Sequence, residues 1–308
     1  MRERAMVPQP EFESYYGRPI IKTPTWKTPD VPLYLFLGGM AGASALLAEG
    51  AAVTGRPALE RVTRVAAAAG ATAGTAALVH DLGRPERFLK MLRVFKVTSP
   101  LSVGSFILTP FTGLSTAALL ANVTGRLPVL GRLAGLGAAA LGPGLASYTA
   151  ALLGNTAVPA WHDAHRELPL VFVGSSAAAA GGLAMLATPV EQSGPACTMA
   201  LAGAGIELTA AELLKRRLGM VAEPYEQGRP GMLMKTARAM TAAAAALSVV
   251  GGRSRAVSAV AGASYLTGSL LTRFGIFEAG QASARDPKYT VVPQRQRLEQ
   301  RRAATAST

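Results

Sequence analysis

The chain has 308 residues, half of them hydrophobic and only 16% charged, with a formal net charge of +13. Because soluble domains carry roughly a quarter charged residues, this composition excludes an ordinary soluble protein and indicates an integral membrane protein. The single cysteine excludes an iron–sulfur cluster in this chain, since a cluster needs about four thiolates. The three histidines are too few and too poorly placed for a membrane haem, which takes axial ligands from facing helices.

Apolar runs long enough to cross the bilayer occur eight times, since about 20 helical residues span its hydrocarbon core. We therefore predict an all-α fold of eight transmembrane helices in two four-helix bundles, over 31–279. A polar basic tail precedes it over 1–30, and a basic, mostly disordered tail follows over 280–308. The predicted spans are 31–54, 62–80, 101–123, 130–158, 168–188, 195–214, 231–251 and 256–277.

Small residues fill these spans, which favours close helix packing in a membrane. Three glycine pairs have the four-residue spacing typical of such contacts: Gly38 with Gly42, Gly70 with Gly74, and Gly131 with Gly135. Pro143, between two glycines, predicts a kink or an unwound turn in the fourth span. Trp26 and Trp161 stand beside span ends and fit an interfacial aromatic belt.

The positive charge is distributed unevenly along the chain. Most of the 31 Lys and Arg residues fall in the two tails and in the loops after the second and sixth spans, which lie on one side of the membrane. Arg273, near the end of the eighth span, is counted with the C-terminal tail. The positive-inside rule assigns that side to the cytoplasm, so we expect a multi-pass plasma-membrane protein with both termini cytoplasmic. Because topology explains the basic charge, the lipid bilayer is an expected partner and nucleic acid is not.

The loop after the second span has a pattern of its own. Its apolar and basic residues fall on different helical faces, which predicts an amphipathic interfacial helix after helix 2. The apolar members are Phe88, Leu89, Leu92 and Phe95. Ser99 and Pro100 suit the cap and the first position of a helix, so the third span should start there.

The expected topology brings several polar side chains to one membrane face: Asp30, Tyr34, His80, Asp81 and Tyr148. Ionisable residues at membrane depth are costly and indicate function by default. A quinone head group needs hydrogen-bond donors for its carbonyls and a nearby acid or base for proton exchange. We assign proton exchange to His80 and Asp81, and quinone binding to the others together with Arg84; we expect no metal ligands.

Structural roles are the alternative for each of these residues. Asp30 can cap the first helix, Asp81 can pair with Arg84, and the tyrosines can anchor the interface. Glu49, Glu207 and Glu212 lie within or near spans, where they either relay protons or pair with arginine and backbone. His162 and His165 share one short loop, but no further ligand completes a tetrahedral metal site.

Several motifs resemble those of the NrfD-like polysulfide reductase membrane-subunit family. The similarity covers about residues 32 to 277 and includes Asp81-Leu82-Gly83-Arg84-Pro85, followed by Ser99-Pro100. Further matching segments are Phe36 to Gly42 in span one and Tyr148-Thr149 through Pro159 in span four. The resemblance is carried by the membrane domain and not by the tails.

The resemblance implies an eight-helix, quinone-reactive anchor without a redox metal of its own. Such a subunit docks an iron–sulfur, ferredoxin-like subunit that exchanges electrons with a molybdopterin catalytic subunit, and its quinone, menaquinone or ubiquinone, sits among the first four helices. Tyr148 looks like the family's span-four tyrosine. The chain would then be a quinone-reactive or non-catalytic subunit of an oxidoreductase; the alternatives are a secondary transporter and a purely structural anchor.

Overall fold

The computed structural model describes residues 19–251 and 254–306, and every regular element in these ranges is helical. Up to residue 18, the predicted N-terminal tail lies outside the described residues. The α-helices in these ranges are α1 (Asp30–Val53), α2 (Pro57–Leu82), α3 (Pro85–Met91), α4 (Pro100–Thr124), α5 (Pro128–Gly154), α6 (Pro159–Asp163), α7 (Leu168–Ala187), α8 (Gly194–Leu218), α9 (Gly228–Val250), α10 (Arg255–Arg285) and α11 (Lys288–Ala306). Two 3₁₀ turns, Val190–Gln192 and Gly219–Tyr225, flank α8.

Seven helical units of the described chain are long and apolar enough to cross a membrane. They are α1, α2, α4, α5, α7, α8 with its following 3₁₀ turn, and α9, and they correspond to the first seven predicted spans. Helix α10 has 31 residues, but serines, threonines and Arg273 make it less apolar. The chain is therefore a multi-pass helical membrane protein.

Prolines begin many of these helices, because a first-turn N–H has no intrahelical partner and its loss costs nothing. Helix α4 begins at Pro100, and the Ser99 side chain accepts a 3.4 Å hydrogen bond from the backbone N–H of Ser102. The predicted start of the third span is thus confirmed. Helix α5 continues through Pro143 without an unwound turn, contrary to one of the two forms predicted there.

Helices α1, α2, α4 and α5 pack against one another, and so do α7, α8, α9 and α10; α7 contacts both α1 and α5. Within the first set, the backbones of α1 and α5 come into close contact at Gly42 and Gly142. A Cβ atom added to either glycine would lie 2.4 Å from the carbonyl oxygen of the other. Only glycine permits these two backbones to touch.

The predicted glycine contacts are also present, with one exception. Added Cβ atoms at Gly70 and Gly74 would contact α1, and those at Gly131 and Gly135 would collide with side chains of neighbouring helices. An added Cβ at Gly38 would meet nothing within 4 Å. Small residues therefore set the spacing of α1, α2 and α5, as the sequence indicates.

The two ends of the helix set are formed by different segments of the chain. One end, here the tail end, consists of residues 24–30, the last turns of α2 and α10, helix α6 and the 3₁₀ turn Gly219–Tyr225. Hydrogen bonds link these segments directly, from residue 27 to α2, from residue 24 to α10, and from α6 to both α10 and the 3₁₀ turn. The opposite end, the far end, holds the last turns of α1 and α4 and the first turns of α2 and α5.

The C-terminal tail differs from its prediction. Helix α10 continues to Arg285, and α11 occupies most of the segment predicted to be disordered over 280–308. Its first turn is fixed to the tail end, because the Lys288 ammonium and the Tyr289 hydroxyl both bind Glu223, at 2.8 and 3.2 Å. Composition alone did not reveal this anchoring contact.

Two further expectations change in detail. A short helix, α3, follows helix 2 where the interfacial helix is predicted, but it ends at Met91. Phe95 therefore lies beyond it and packs edge-on against Phe106, with ring centroids 5.0 Å apart. Trp161 is fully buried and is therefore a core residue of the tail end, not part of an aromatic belt. Its indole N–H donates to the Ile276 carbonyl, and its ring stacks on Trp26 at 5.6 Å.

Candidate functional site

The last turn of α2 carries the first group of candidate residues. Helix α2 ends at Leu82 because Gly83 adopts a left-handed conformation with φ of 72°, which other residues rarely accept. Pro85 then starts α3. Gly83 thus ends one helix and Pro85 begins the next, which gives both residues of the motif a structural role. His80 and Asp81 lie on the final turn of α2, at the tail end.

His80 and Asp81 both bind the beginning of α1. The His80 Nδ1 atom lies 2.7 Å from Oδ2 of Asp30, and the Lys27 backbone N–H donates a 2.8 Å hydrogen bond to Oδ1 of Asp81. The His80 side chain is 75% exposed, whereas that of Asp30 is 14% exposed. The pair thus joins an accessible imidazole to a largely shielded carboxylate. Such an arrangement can move a proton between water and the protein.

Tyr34 of α1 and Tyr148 of α5 form the second group, farther from the helix ends. Their rings meet edge-on with centroids 6.4 Å apart. Tyr34 faces Gly74 of α2, and Tyr148 lies directly on Gly104 of α4, so all four helices of the first set enclose the pair. Both hydroxyls are buried without a hydrogen-bond partner among the described residues.

The other predicted site residue, Arg84, stands apart from these two groups. It is exposed and precedes α3. Its backbone carbonyl accepts a 3.0 Å hydrogen bond from the Arg87 N–H, and its side chain forms no hydrogen bond or ion pair with the described residues. Asp81 does not pair with it, because Asp81 accepts the N–H of Lys27 instead. The structure therefore brings together Asp30 with His80 and Tyr34 with Tyr148, while Arg84 remains on the adjoining surface.

The remaining polar residues that drew attention in the sequence bind locally. His162 and His165 each place Nδ1 against a backbone carbonyl, at 3.1 and 2.8 Å, in the compact turn around α6. Glu212 pairs with Arg216 one turn later, on an exposed helix face. Within the described residues, no group of three or more metal-ligating side chains could hold an ion.

A cluster of charged residues at the far end was not recognised as a unit in the sequence. The Arg64 guanidinium binds Glu49 at 2.9 Å and Glu60 at 2.8 Å, and Arg132 lies 3.0 Å from the second Glu49 oxygen. Asn122 also donates to Glu60, and a cavity of about 170 Å³ borders the cluster. These contacts tie together α1, α2, α4 and α5. Glu49 thus has two arginine partners.

Arg273 was also misplaced by the sequence analysis, which counted it with the positive charges of the C-terminal tail. It is fully buried in α10 and ranks among the largest enclosed side chains. Its Nη2 atom donates to the Phe172 carbonyl and the Ser176 hydroxyl, at 2.8 and 3.0 Å, and its Nε to the Leu35 carbonyl. A lone arginine in an apolar run gave no sign that it points into the bundle.

These features define the class: a multi-pass helical membrane protein with an acid–base pair and buried, unpartnered tyrosines towards one end. The family model described as polysulphide reductase, NrfD, matches residues 22–194. This match covers more than half of the chain, which therefore belongs to the NrfD family, and the resemblance noted in the sequence is confirmed. The matched region includes every predicted site residue. A comparison with curated proteins gave no match.

Proposed function

We propose that the chain is the quinone-binding membrane-anchor subunit of a multi-subunit oxidoreductase of the polysulfide reductase type. It passes electrons between a partner iron–sulfur subunit and the membrane pool of menaquinone or ubiquinone. The iron–sulfur subunit in turn connects it to a molybdopterin catalytic subunit. Membership of the NrfD family supports this class of complex.

The observation that carries the proposal is the pair of buried tyrosine hydroxyls. Leaving one buried hydroxyl without a partner costs about 1–3 kcal/mol, and here Tyr34 and Tyr148 both do so within one ring contact. A hydroxyl donor and a quinone carbonyl are complementary. The donor set therefore fits a quinone head group, with Tyr34 and Tyr148 binding its carbonyl oxygens.

The charged residues at the end of α2 complete the chemistry. A quinone takes up protons together with electrons, so its site needs a group that exchanges protons with water. His80 is exposed and bonded to Asp30, and an imidazole ring can both donate and accept a proton. We assign proton exchange to His80, with Asp30 orienting its ring and Asp81 as a second acceptor. Arg84 adds positive charge at the mouth of the site.

The membrane arrangement belongs to the same proposal. Helix α10 is the eighth span, and the eight helices form two four-helix bundles over 31–279, consistent with their observed packing. The tail end, with most of the basic residues, faces the cytoplasm of the plasma membrane. Burial of Arg273 removes only one residue from that charge bias.

Quinone titration of the purified chain in lipid nanodiscs tests the proposal. The chain has two tryptophans, Trp26 and Trp161, both at the tail end, so a bound quinone should quench their fluorescence saturably. We expect the double variant Tyr34→Phe, Tyr148→Phe to weaken naphthoquinone binding at least tenfold. Quenching that never saturates, or that is the same in wild type and variant, would contradict the proposed site.

A further inference from the structure

A second buried polar region lies in the other helix set, away from the candidate quinone site. It involves α7, α8 and α10, with Glu207 and Thr272 at its centre, and we call it the polar seam. Its members are Ser175, Ser176, Glu207, Ser269, Thr272 and Arg273, each at most 4% exposed. Neither the proposed quinone chemistry nor the matched family region, which ends at residue 194, accounts for Glu207.

The two oxygens of Glu207 have different surroundings. One accepts a 2.8 Å hydrogen bond from the Thr272 hydroxyl, and the other is buried without a partner among the described residues. Glu49, the other deeply buried glutamate of an apolar helix, instead has two arginines within 3.0 Å. One oxygen of each glutamate, Oε2, lacks a hydrogen-bond partner among the described residues, so the two differ in ion pairing, which Glu49 has and Glu207 does not.

Arg273 does not neutralise Glu207 by direct contact. Its bonded nitrogens donate to Phe172, Ser176 and Leu35, and its guanidinium carbon lies 4.0 Å above the Phe172 ring. No ion pair within 4.0 Å joins Arg273 and Glu207 in the described structure. The arginine belongs to the same seam through Ser176, and its charge acts on Glu207 only over a longer distance.

An ionised carboxylate with an unpaired buried oxygen is far more costly than a protonated one, so a carboxyl group in this position takes up a proton. We propose that Glu207 is a proton-binding site inside the membrane domain and carries its proton at neutral pH. Thr272 donates to one oxygen, and the proton resides on the other.

Two hydroxyls, those of Ser175 on α7 and Ser269 on α10, face the Glu207 carboxyl group. The Ser175 hydroxyl donates to that of Ser269 at 2.8 Å, and Ser269 donates to the Ser175 carbonyl. Arg273 is the charged side chain in the seam, and Ser175 adjoins Ser176, to which Arg273 donates. The groups around the Glu207 carboxyl are therefore one positive charge and neutral hydroxyls.

Infrared spectroscopy of the full chain in nanodiscs measures the proton directly. A protonated carboxyl group gives a C=O stretching band above the amide region, which shifts down in D₂O. We expect this band at neutral pH in the wild type, its loss in Glu207→Gln, and its retention in the matched control Glu49→Gln. Thr272→Val should keep the band and move it to higher frequency, because the carboxyl group loses a hydrogen bond.

The Thr272→Val shift supports the assignment even if Glu207→Gln does not fold. A wild-type spectrum without a protonated carboxyl band at neutral pH would overturn it and would indicate an ionised Glu207 paired with Arg273 through water. A band that survives Glu207→Gln would also overturn it. Neither result bears on quinone binding at Tyr34 and Tyr148.

Discussion

Asp30 and His80 are 50 positions apart in the chain, yet the Oδ2 atom of one lies 2.7 Å from the Nδ1 atom of the other. This contact closes the first two membrane helices onto each other at the tail end. The carboxylate is shielded at the start of α1, while the imidazole remains accessible at the end of α2. In the proposed function, His80 takes up a proton from water at this contact, and Asp30 lies one helical turn before Tyr34 on α1.

Removing the imidazole should impair quinone turnover without unfolding the protein. Exposed ion pairs contribute only about 0–1 kcal/mol to stability, whereas general acid–base catalysis contributes about a hundredfold or more to rate. We expect His80→Ala to lower quinol-dependent electron transfer in the assembled complex by about that factor, with melting temperature nearly unchanged. His165→Ala, which removes another exposed histidine at the same end, is the control. Equal rates for His80→Ala and the control would contradict the proton-exchange role.

Two tyrosine-to-phenylalanine substitutions should have opposite effects on stability and binding. Tyr148→Phe deletes a buried hydroxyl that has no hydrogen-bond partner in the described part of the chain, so stability should hold or rise while quinone affinity falls. Tyr225→Phe deletes a hydroxyl that donates to the Ala160 carbonyl at 2.8 Å, which should cost about 1 kcal/mol and leave quinone affinity intact. Thermal unfolding and quinone titration of both variants provide the check, and a loss of stability in Tyr148→Phe alone would refute the contrast.

Neighbouring glycines of α1 should respond differently to alanine. At Gly42 the new methyl group would lie 2.4 Å from the Gly142 carbonyl oxygen, and such overpacking costs about 1–3 kcal/mol. At Gly38 the methyl group meets nothing within 4 Å, and alanine is about 1 kcal/mol better than glycine in a helix. Melting in detergent should therefore rank Gly38→Ala above wild type and Gly42→Ala below it. The reverse order would show that the α1–α5 contact is misassigned.

The ion pair between Glu167, at the start of α7, and Arg217 should make the free energy of unfolding depend on pH. Burial raises the pKa of Glu167, but the hydrogen bonds and charge of Arg217 outweigh burial, so the pKa lies below its ordinary value. A lowered folded-state pKa stabilises the protein above the unfolded value, about 4.3, and this contribution disappears as pH falls through the folded value.

The variant Glu167→Gln should accordingly melt below wild type near neutral pH, and the difference should shrink in acid. Glu191→Gln is the control, because Glu191 is exposed and outside the ion pairs of the described structure. A difference between Glu167→Gln and wild type that stays constant across this pH range would contradict the assigned ion pair.

Much of the membrane architecture follows from the sequence because it depends on local signals. Apolar run length located the spans, Ser99 and Pro100 marked a helix start, and the glycine spacing identified helix contacts. Asp30, Tyr34, His80 and Tyr148 were placed at one end from topology alone, and their contacts agree with that placement.

The misplaced residues are those whose role depends on distant partners. Arg273 looked like a tail residue because nothing near it in sequence reveals the carbonyls of α1 and α7 to which it donates. The Glu49–Arg64–Arg132 cluster needs three separate helices to form, and α11 is anchored through Glu223, some 65 positions before Lys288. Such contacts appear only when the helices are packed.

Photo-crosslinking with an azido-quinone tests the central claim most directly, because it locates the ligand without relying on turnover. The account predicts labelling of peptides that contain Tyr34, His80 or Tyr148, suppressed by excess menaquinone or ubiquinone and reduced in Tyr34→Phe, Tyr148→Phe. Labelling confined to the far end around Asn122 and Arg132, or labelling that excess quinone does not suppress, would contradict it.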